Sequence, residues 1–306
     1  MGRYPPEKEE GGVEYKLMLK SVSQSRLERL ASQMKYRLAE GGGEAIYVLG
    51  VSDDGEPLGL RDEEYEETLE TLRKVAGILG ARVKVLRVRR GRRGRIAEVL
   101  VRLSREESPP IIVNVAVLGN VDAGKSTLVG VLCTGVLDDG RGLAMTRVAR
   151  FLHEIESGRT SSVSVKWLGF DDEGHVINYD LPSPLDEAQV YLKSTKVLGF
   201  VDLGGHERYL RTTLRGVMAR APDYAMLVVA ANAGLLRMGR EHLGICVALN
   251  IPVFAVVTKI DMVAEEVLNA TLEELRKTLT MPGVNKLPFE VKSFDDVVVA
   301  ARHVAS

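Results

Sequence analysis

The spacing of apolar positions changes character near residue 110 of this 306-residue chain. Before it, short alternating runs and helical repeats take turns. Alternation over 13–19 (VEYKLML) predicts a strand, and Leu27, Leu30, Met34 and Leu38 predict a helix over 21–38. Ser21 or Ser23 would cap that helix, and Gly41, Gly42 and Gly43 would stop it. A strand at 45–51, a turn at 53–55 and a second helix at 62–79, closed by Gly80, follow. Strands at 82–88 and 96–103, joined through Gly91 and Gly94, read as a hairpin. The order β-α-β-α-β-β predicts a small two-layer α+β domain over 13–107. Residues 1–12 carry Pro, Gly, Glu and Lys without periodicity and read as a disordered tail. Ser108-Pro109-Pro110 reads as a stiff linker over 108–110.

Beyond the linker, continuous apolar runs at 111–118, 163–170, 196–202, 224–231 and 251–257 alternate with helical stretches. Such alternation predicts an α/β domain over 111–306 with a doubly wound, largely parallel sheet. Ligands of that architecture sit beyond the carboxyl ends of the strands.

Composition narrows the class. Hydrophobic residues make up 45% and charged residues 27%, as in ordinary globular proteins. No apolar run approaches the ~20 residues needed to span a bilayer, so no membrane partner is expected. The N-terminus lacks the apolar core of a secretory signal, and a cytoplasmic location is expected. Cys133 and Cys246 sit in apolar helical contexts and read as small buried hydrophobes. Lys and Arg number 41 against 42 for Asp and Glu, so net charge gives no bias toward nucleic acid, and no DNA is expected. Distribution does: six of the nine residues 87–95 are arginine. Guanidinium groups bind phosphate bidentately, which makes this hairpin a candidate RNA-backbone contact.

The chemistry lies at the strand ends. Residues 119–127 (GNVDAGKST) follow the run 111–118 and open a helix. Backbone N–H groups of Asn120, Val121, Asp122, Ala123, Gly124, Lys125, Ser126 and Thr127 can converge on phosphates, helped by the helix dipole. Lys125 would reach the outer phosphates and Ser126 would ligate Mg²⁺. Strand 196–202 ends in Asp202, placed to hold Mg²⁺ through water. Gly205 offers a bare N–H to a γ-phosphate, and His206 is placed to orient an attacking water. After run 251–257 comes Thr258-Lys259-Ile260-Asp261. The Asp261 carboxylate can accept two hydrogen bonds from the guanine edge, and the Lys259 stem can lie across the base; adenine offers no such pair.

Together these segments resemble the first, third and fourth nucleotide-binding boxes of translational GTPases related to elongation factor Tu. Residues 152–162, 202–206 and 240–244 resemble the GTP-binding protein 1 branch of that superfamily, as do residues 14–19 and 43–50 of the N-terminal domain. The resemblance implies a P-loop NTPase fold, GTP and GDP as ligands, Mg²⁺ as cofactor, and the ribosome or RNA as partner. It implies His206 and Lys125 as catalytic residues, with Ser126, Asp202 and a first-switch hydroxyl toward Mg²⁺. Relatives carry Arg-Gly-Ile-Thr in that switch, whereas this chain has Arg159-Thr160-Ser161-Ser162. Spacing points to Ser162 and side-chain identity to Thr160.

Two further departures matter. Thr258 replaces the usual Asn of the guanine motif; its hydroxyl can still tie this loop to the phosphate loop, with fewer hydrogen bonds. A fifth guanine box has Ser293 as its local candidate, and the resemblance implies a last strand and two β-barrels beyond Ser306, leaving the GTP-binding domain incomplete here. The expected function is a Mg²⁺-dependent GTPase switch, slow without a partner. The alternative is a nucleotide-gated RNA or protein adaptor in which hydrolysis is marginal.

Overall fold

The computed structural model describes residues 4–20, 23–104, 109–149, 164–202, 222–284 and 286–304. They form two compact units. One comprises Met1–Ile111 with Phe170–His175, the other Ile112–Gly169 with Val176–Ser306.

In the first unit, β1 (Val13–Lys16), β2 (Glu44–Leu49), β3 (Ala81–Arg90) and β4 (Arg95–Leu103) form a sheet in the order β1-β2-β4-β3. β1 and β2 are parallel, and the other two pairings are antiparallel. Side chains of a strand alternate between faces, and β2 and β4 use both. Ala45, Tyr47 and Leu49, with Ala97, Val99 and Val101, pack beneath α1 (Gln24–Glu40) and α2 (Asp62–Ile78), meeting Met34, Leu38, Leu69 and Leu72. Val48 and Ile96 face the other way and join Tyr4, Tyr15 and Val51 in a second apolar cluster. Burying each such side chain is worth about 1.5–3 kcal/mol.

Tyr4 in that cluster corrects the reading of a disordered tail for residues 4–12, while residues 1–3 lie outside the described residues. Its ring meets Tyr15 edge-on at 5.8 Å, and its hydroxyl donates to Glu98 Oε1 at 3.1 Å. The Tyr4 and Glu7 N–H groups donate to the carbonyls of Gly55 and Asp53, at 3.0 and 2.8 Å. Arg37 of α1 donates to Glu7 at 2.9 Å, to Glu14 at 2.5 Å and to the carbonyls of Glu9 and Gly11. Residues 4–12 are therefore a docked strap. One aromatic anchor, backbone hydrogen bonds and the Arg37 guanidinium hold it, and none of these produces periodicity. Burial opposes ionisation of Glu14, yet Lys16 and Arg37 hold its carboxyl below the usual range. Burial and the adjacent Glu14 push Glu7 up to about 7.

β1 also stops earlier than the alternation over 13–19 predicts. The chain leaves the sheet after Lys16, and the Leu19 N–H donates to Thr68 Oγ1 of α2 at 3.1 Å.

In the second unit, β5 (Ile111–Gly119), β6 (Ser164–Phe170), β7 (Lys196–Asp202), β8 (Tyr224–Ala230) and β9 (Val253–Thr258) form a sheet in the order β6-β7-β5-β8-β9. The pairings β5–β8 and β8–β9 are parallel. Among the described residues the helices are α3 (Lys125–Thr134), α4 (Leu143–Val148), α5 (Glu187–Lys193), α6 (Arg237–Ala248), α7 (Glu265–Thr280) and α8 (Phe294–His303). Leu118, Leu227 and Val229 pack against Leu243 and Cys246 of α6 and Leu275 of α7. Cys133 and Cys246 are buried and unbridged, and burial pushes their thiols up to about 12 and 11. Among the described residues no helix is long and apolar enough to cross a membrane.

Ser293 is the N-cap of α8. Its hydroxyl accepts the Asp296 N–H, and the Asp296 carboxylate accepts the Ser293 N–H in return. This reciprocal capping engages the side chain that the sequence offered as a fifth guanine box.

Candidate functional site

β5 ends at Gly119, and within six residues the chain has turned into α3. The turn needs two left-handed residues, Asp122 at φ 59° and Gly124 at φ 83°. Aspartate tolerates that region better than most side chains, and glycine enters it freely. Gly124 is the N-cap of α3, so the first N–H groups of the helix lack intrahelical acceptors and face the concavity of the turn.

Lys125 begins α3 and is 6% exposed. Its Nζ donates to the Asn120 carbonyl at 2.7 Å, folding the side chain back over the turn. Burial lowers its pKa, while Asp202 and Asp122 act in the opposite direction. A buried ammonium beside a ring of backbone donors suits an anion.

Ser126 Oγ donates to Asp202 Oδ2 at 2.6 Å, which brings the end of β7 to the start of α3. Asp202 is 3% exposed. A hydroxyl and a carboxylate in contact are hard oxygen ligands of the kind Mg²⁺ takes when phosphates supply the rest.

Thr258, the last residue of β9, donates from Oγ1 to the Ala123 carbonyl at 2.8 Å. Lys259 follows with φ 56°, a left-handed conformation that costs a non-glycine residue about 1–2 kcal/mol. It starts the short 3₁₀ turn Ile260–Met262, which exposes Asp261. The backbone strain thus falls at the position the sequence assigned to base recognition.

Of the residues read from sequence, the structure gathers Asn120, Val121, Asp122, Ala123, Gly124, Lys125, Ser126 and Thr127 with Asp202 and Thr258. Gly205, His206, Thr160 and Ser162 lie outside the described residues. The Asn120 side chain turns inward, which leaves the part expected of its backbone N–H untouched. Its Oδ1 accepts the Gly239 N–H of α6 at 2.8 Å, and the residue is 5% exposed. It braces the turn against a helix.

His242 is a residue whose role the sequence did not disclose. It is 1% exposed, and its Nδ1 accepts the Gly119 N–H at 3.2 Å. That bond places the ring proton on Nε2, which is buried without a hydrogen-bond partner among the described residues. Burial, aided by Lys125, pushes its pKa down to about 4. A neutral imidazole thus supports the strand end from which the turn departs. The only available signal was its place in residues 240–244, which carried a resemblance but no chemistry.

A strand-turn-helix cradle, a buried lysine and a Ser–Asp pair at adjacent strand ends define a P-loop nucleotide-binding protein. Residues 110–303 match the elongation factor Tu GTP binding domain. Over 98% of its length the chain is 47% identical to GTP-binding protein 2 of Homo sapiens, covering 50% of that protein. Over 96% it is 44% identical to GTP-binding protein 1 of Xenopus laevis, covering 45% of it. The chain thus spans about half the length of these relatives. The crystal structure of a bacterial selenocysteine-specific elongation factor, EF-Sec, aligns at a TM-score of 0.45 and 23% identity over 63% of this chain and 28% of its own. This chain belongs to the elongation factor Tu-like family of translational GTPases, and guanine-nucleotide binding is the property the family shares.

Proposed function

We propose that this chain is a Mg²⁺-dependent switch that binds and hydrolyses GTP, acts with the ribosome or RNA, and works in the cytoplasm. The observation that carries the reading is the convergence of three strand ends: the cradle at 119–127, Asp202 hydrogen-bonded to Ser126, and Thr258 tied to Ala123. Lys125 and the N–H groups of α3 hold phosphate charge, and Asp261 selects the base. Ser126 and Asp202 would hold Mg²⁺, which supplies charge neutralisation on the phosphates, with Thr160 or Ser162 closing the set. His206 orients the attacking water, and Gly205 reports the γ-phosphate. Catalysis of this kind rests on positioning and electrostatics, so turnover is slow until a partner completes the arrangement.

Turnover measured with and without ribosomes tests the reading, with His206→Ala as the variant. Ribosome-stimulated hydrolysis that His206→Ala abolishes, with GTP affinity retained, supports it. Stimulated turnover unchanged in His206→Ala removes that residue from the mechanism. No stimulation by any translational partner overturns the ribosomal role in favour of a nucleotide-gated adaptor.

A further inference from the structure

We propose that a cleft between the β3–β4 hairpin and the start of α2 docks the phosphodiester backbone of RNA, with Arg90 and Arg93 as its phosphate-binding residues. This rests on the reading of the chain as a GTPase that acts with RNA. The cleft has a volume of about 630 Å³ and is lined by Arg61, Val88, Arg89, Arg90, Arg93 and Arg95, with Asp62 the acidic residue in its wall.

A strand irregularity creates it. The β3–β4 register slips between Val85 and Arg87, leaving Leu86 as the extra residue of a bulge. Beyond the slip, Arg89 sits opposite Ile96 on the Tyr4 side of the sheet, with its guanidinium 4.5 Å from the Tyr4 ring centre and 3.8 Å from Glu98. Val88 and Arg90 take the helical side. There α2 begins only at Asp62, so Val88 stays 46% exposed as an apolar floor.

Charge pairing leaves two cations over. Arg61 pairs with Glu64 at 2.6 Å, Arg92 with Glu56 at 2.6 Å, and Arg95 with Asp62 at 2.9 Å and Glu66 at 3.6 Å. Arg90 and Arg93 form no ion pair among the described residues. Arg93 lies within electrostatic reach of Glu64, whose carboxylate Arg61 already holds. The acids therefore neutralise the scaffold arginines and leave the other two for a ligand.

The hairpin is also fixed before any ligand arrives. Arg93 N–H donates to Leu58 O at 2.7 Å, and Arg95 and Leu60 exchange backbone hydrogen bonds at 2.6 and 2.7 Å. A Cβ on Gly94 would lie 1.9 Å from Leu60 O, so only glycine lets the hairpin seat there. A pre-positioned backbone lowers the ordering cost of binding. Arginine forks match phosphate oxygens bidentately, and the absence of aromatic residues from 87–95 favours backbone contact over base stacking.

The test is fluorescence anisotropy of labelled single-stranded RNA with the full chain across a salt series. Arg90→Ala/Arg93→Ala is compared with Arg26→Ala/Arg29→Ala, an equal loss of charge at exposed positions of α1. The proposal expects the first pair to weaken binding at least about tenfold at low salt. It also expects the salt slope to fall by about 1.4, two phosphates at ~0.7 each. Arg90→Lys/Arg93→Lys should restore part of the affinity. Equal losses in both alanine pairs, no loss in the first, or tighter binding of poly-glutamate than of RNA each overturn the cleft as an RNA site. Fluorescent GTP binding is measured on the same samples. In the wild-type chain, absence of GTP binding counts against the nucleotide-site reading, whereas GTP binding without RNA binding counts against the cleft alone; in Arg90→Ala/Arg93→Ala, GTP binding should be unchanged.

Discussion

Thr258 Oγ1 donates to the carbonyl of Ala123 at 2.8 Å, joining residues 135 positions apart in the chain. This bond links the turn proposed to read the base to the turn proposed to cradle the phosphates. Thr258→Val removes the hydroxyl while keeping the shape. A net hydrogen bond is worth about 1 kcal/mol, so the variant should lose up to about that much fold stability, and a turn that must re-order on binding should lose up to roughly fivefold in GTP and GDP affinity. Titration with a fluorescent nucleotide checks this. Unchanged affinity would show that the two turns hold their places without the bond.

His242 should give the GTP-binding unit an acid-sensitive limb. Its pKa is about 4 against an ordinary 6.5, so between those values the unfolded chain binds a proton that the folded one refuses. The neutral ring's contribution is complete above about 6.5 and is lost as pH falls toward 4. His242→Gln, which keeps a hydrogen-bond acceptor and cannot titrate, should flatten that limb in denaturant melts taken from pH 7 to 4. His242→Leu leaves the Gly119 N–H unpaired and should cost about 1–3 kcal/mol at pH 7. Identical acid limbs for wild type and His242→Gln would contradict the assignment.

The strap should respond to pH in the opposite sense. Glu7 titrates near 7 in the folded chain because of burial and its neighbour Glu14. Between about 4.5 and 7 the folded state holds a proton that the unfolded state has released, so stability falls as pH rises through that window. Glu7→Gln mimics the protonated form. It should remove the slope and leave the first unit more stable than wild type at pH 8, as read by hydrogen exchange at residues 4–12 and by melting. A slope that survives the substitution would place its source elsewhere.

The alternation of strands and helices was legible because continuous apolar runs set between stretches of helical spacing mark buried strands without reference to tertiary structure. β7 lies at 196–202 as read, and β5 and β8 differ from their readings by one residue at an end. The strap was not legible, since Tyr4 is a single aromatic whose partners, Tyr15, Gly55 and Glu98, come from three separate stretches. The inward turn of the Asn120 side chain depends on Gly239, and the part played by His242 depends on Gly119. Both pairs are more than 100 residues apart in sequence, and no local pattern encodes which side chains a fold will bring behind a loop. Motifs disclosed the residue types proposed to face a ligand; the supports behind them emerged only from packing.

Ser126 and Asp202 offer a separate check on the metal. Ser126→Ala removes the hydroxyl that meets Asp202 at 2.6 Å and should make nucleotide binding nearly indifferent to Mg²⁺, whereas wild-type affinity should rise steeply as Mg²⁺ is added. Equal Mg²⁺ dependence in both proteins would separate Ser126 from the ion.

Nucleotide competition on wild type and Asp261→Asn tests whether the three strand ends make a guanine-nucleotide site. GTP should displace a bound fluorescent guanine nucleotide far better than ATP in wild type, and Asp261→Asn should move preference to xanthosine triphosphate. ATP competing as well as GTP, or an Asp261→Asn protein that still prefers guanine, would contradict such a site.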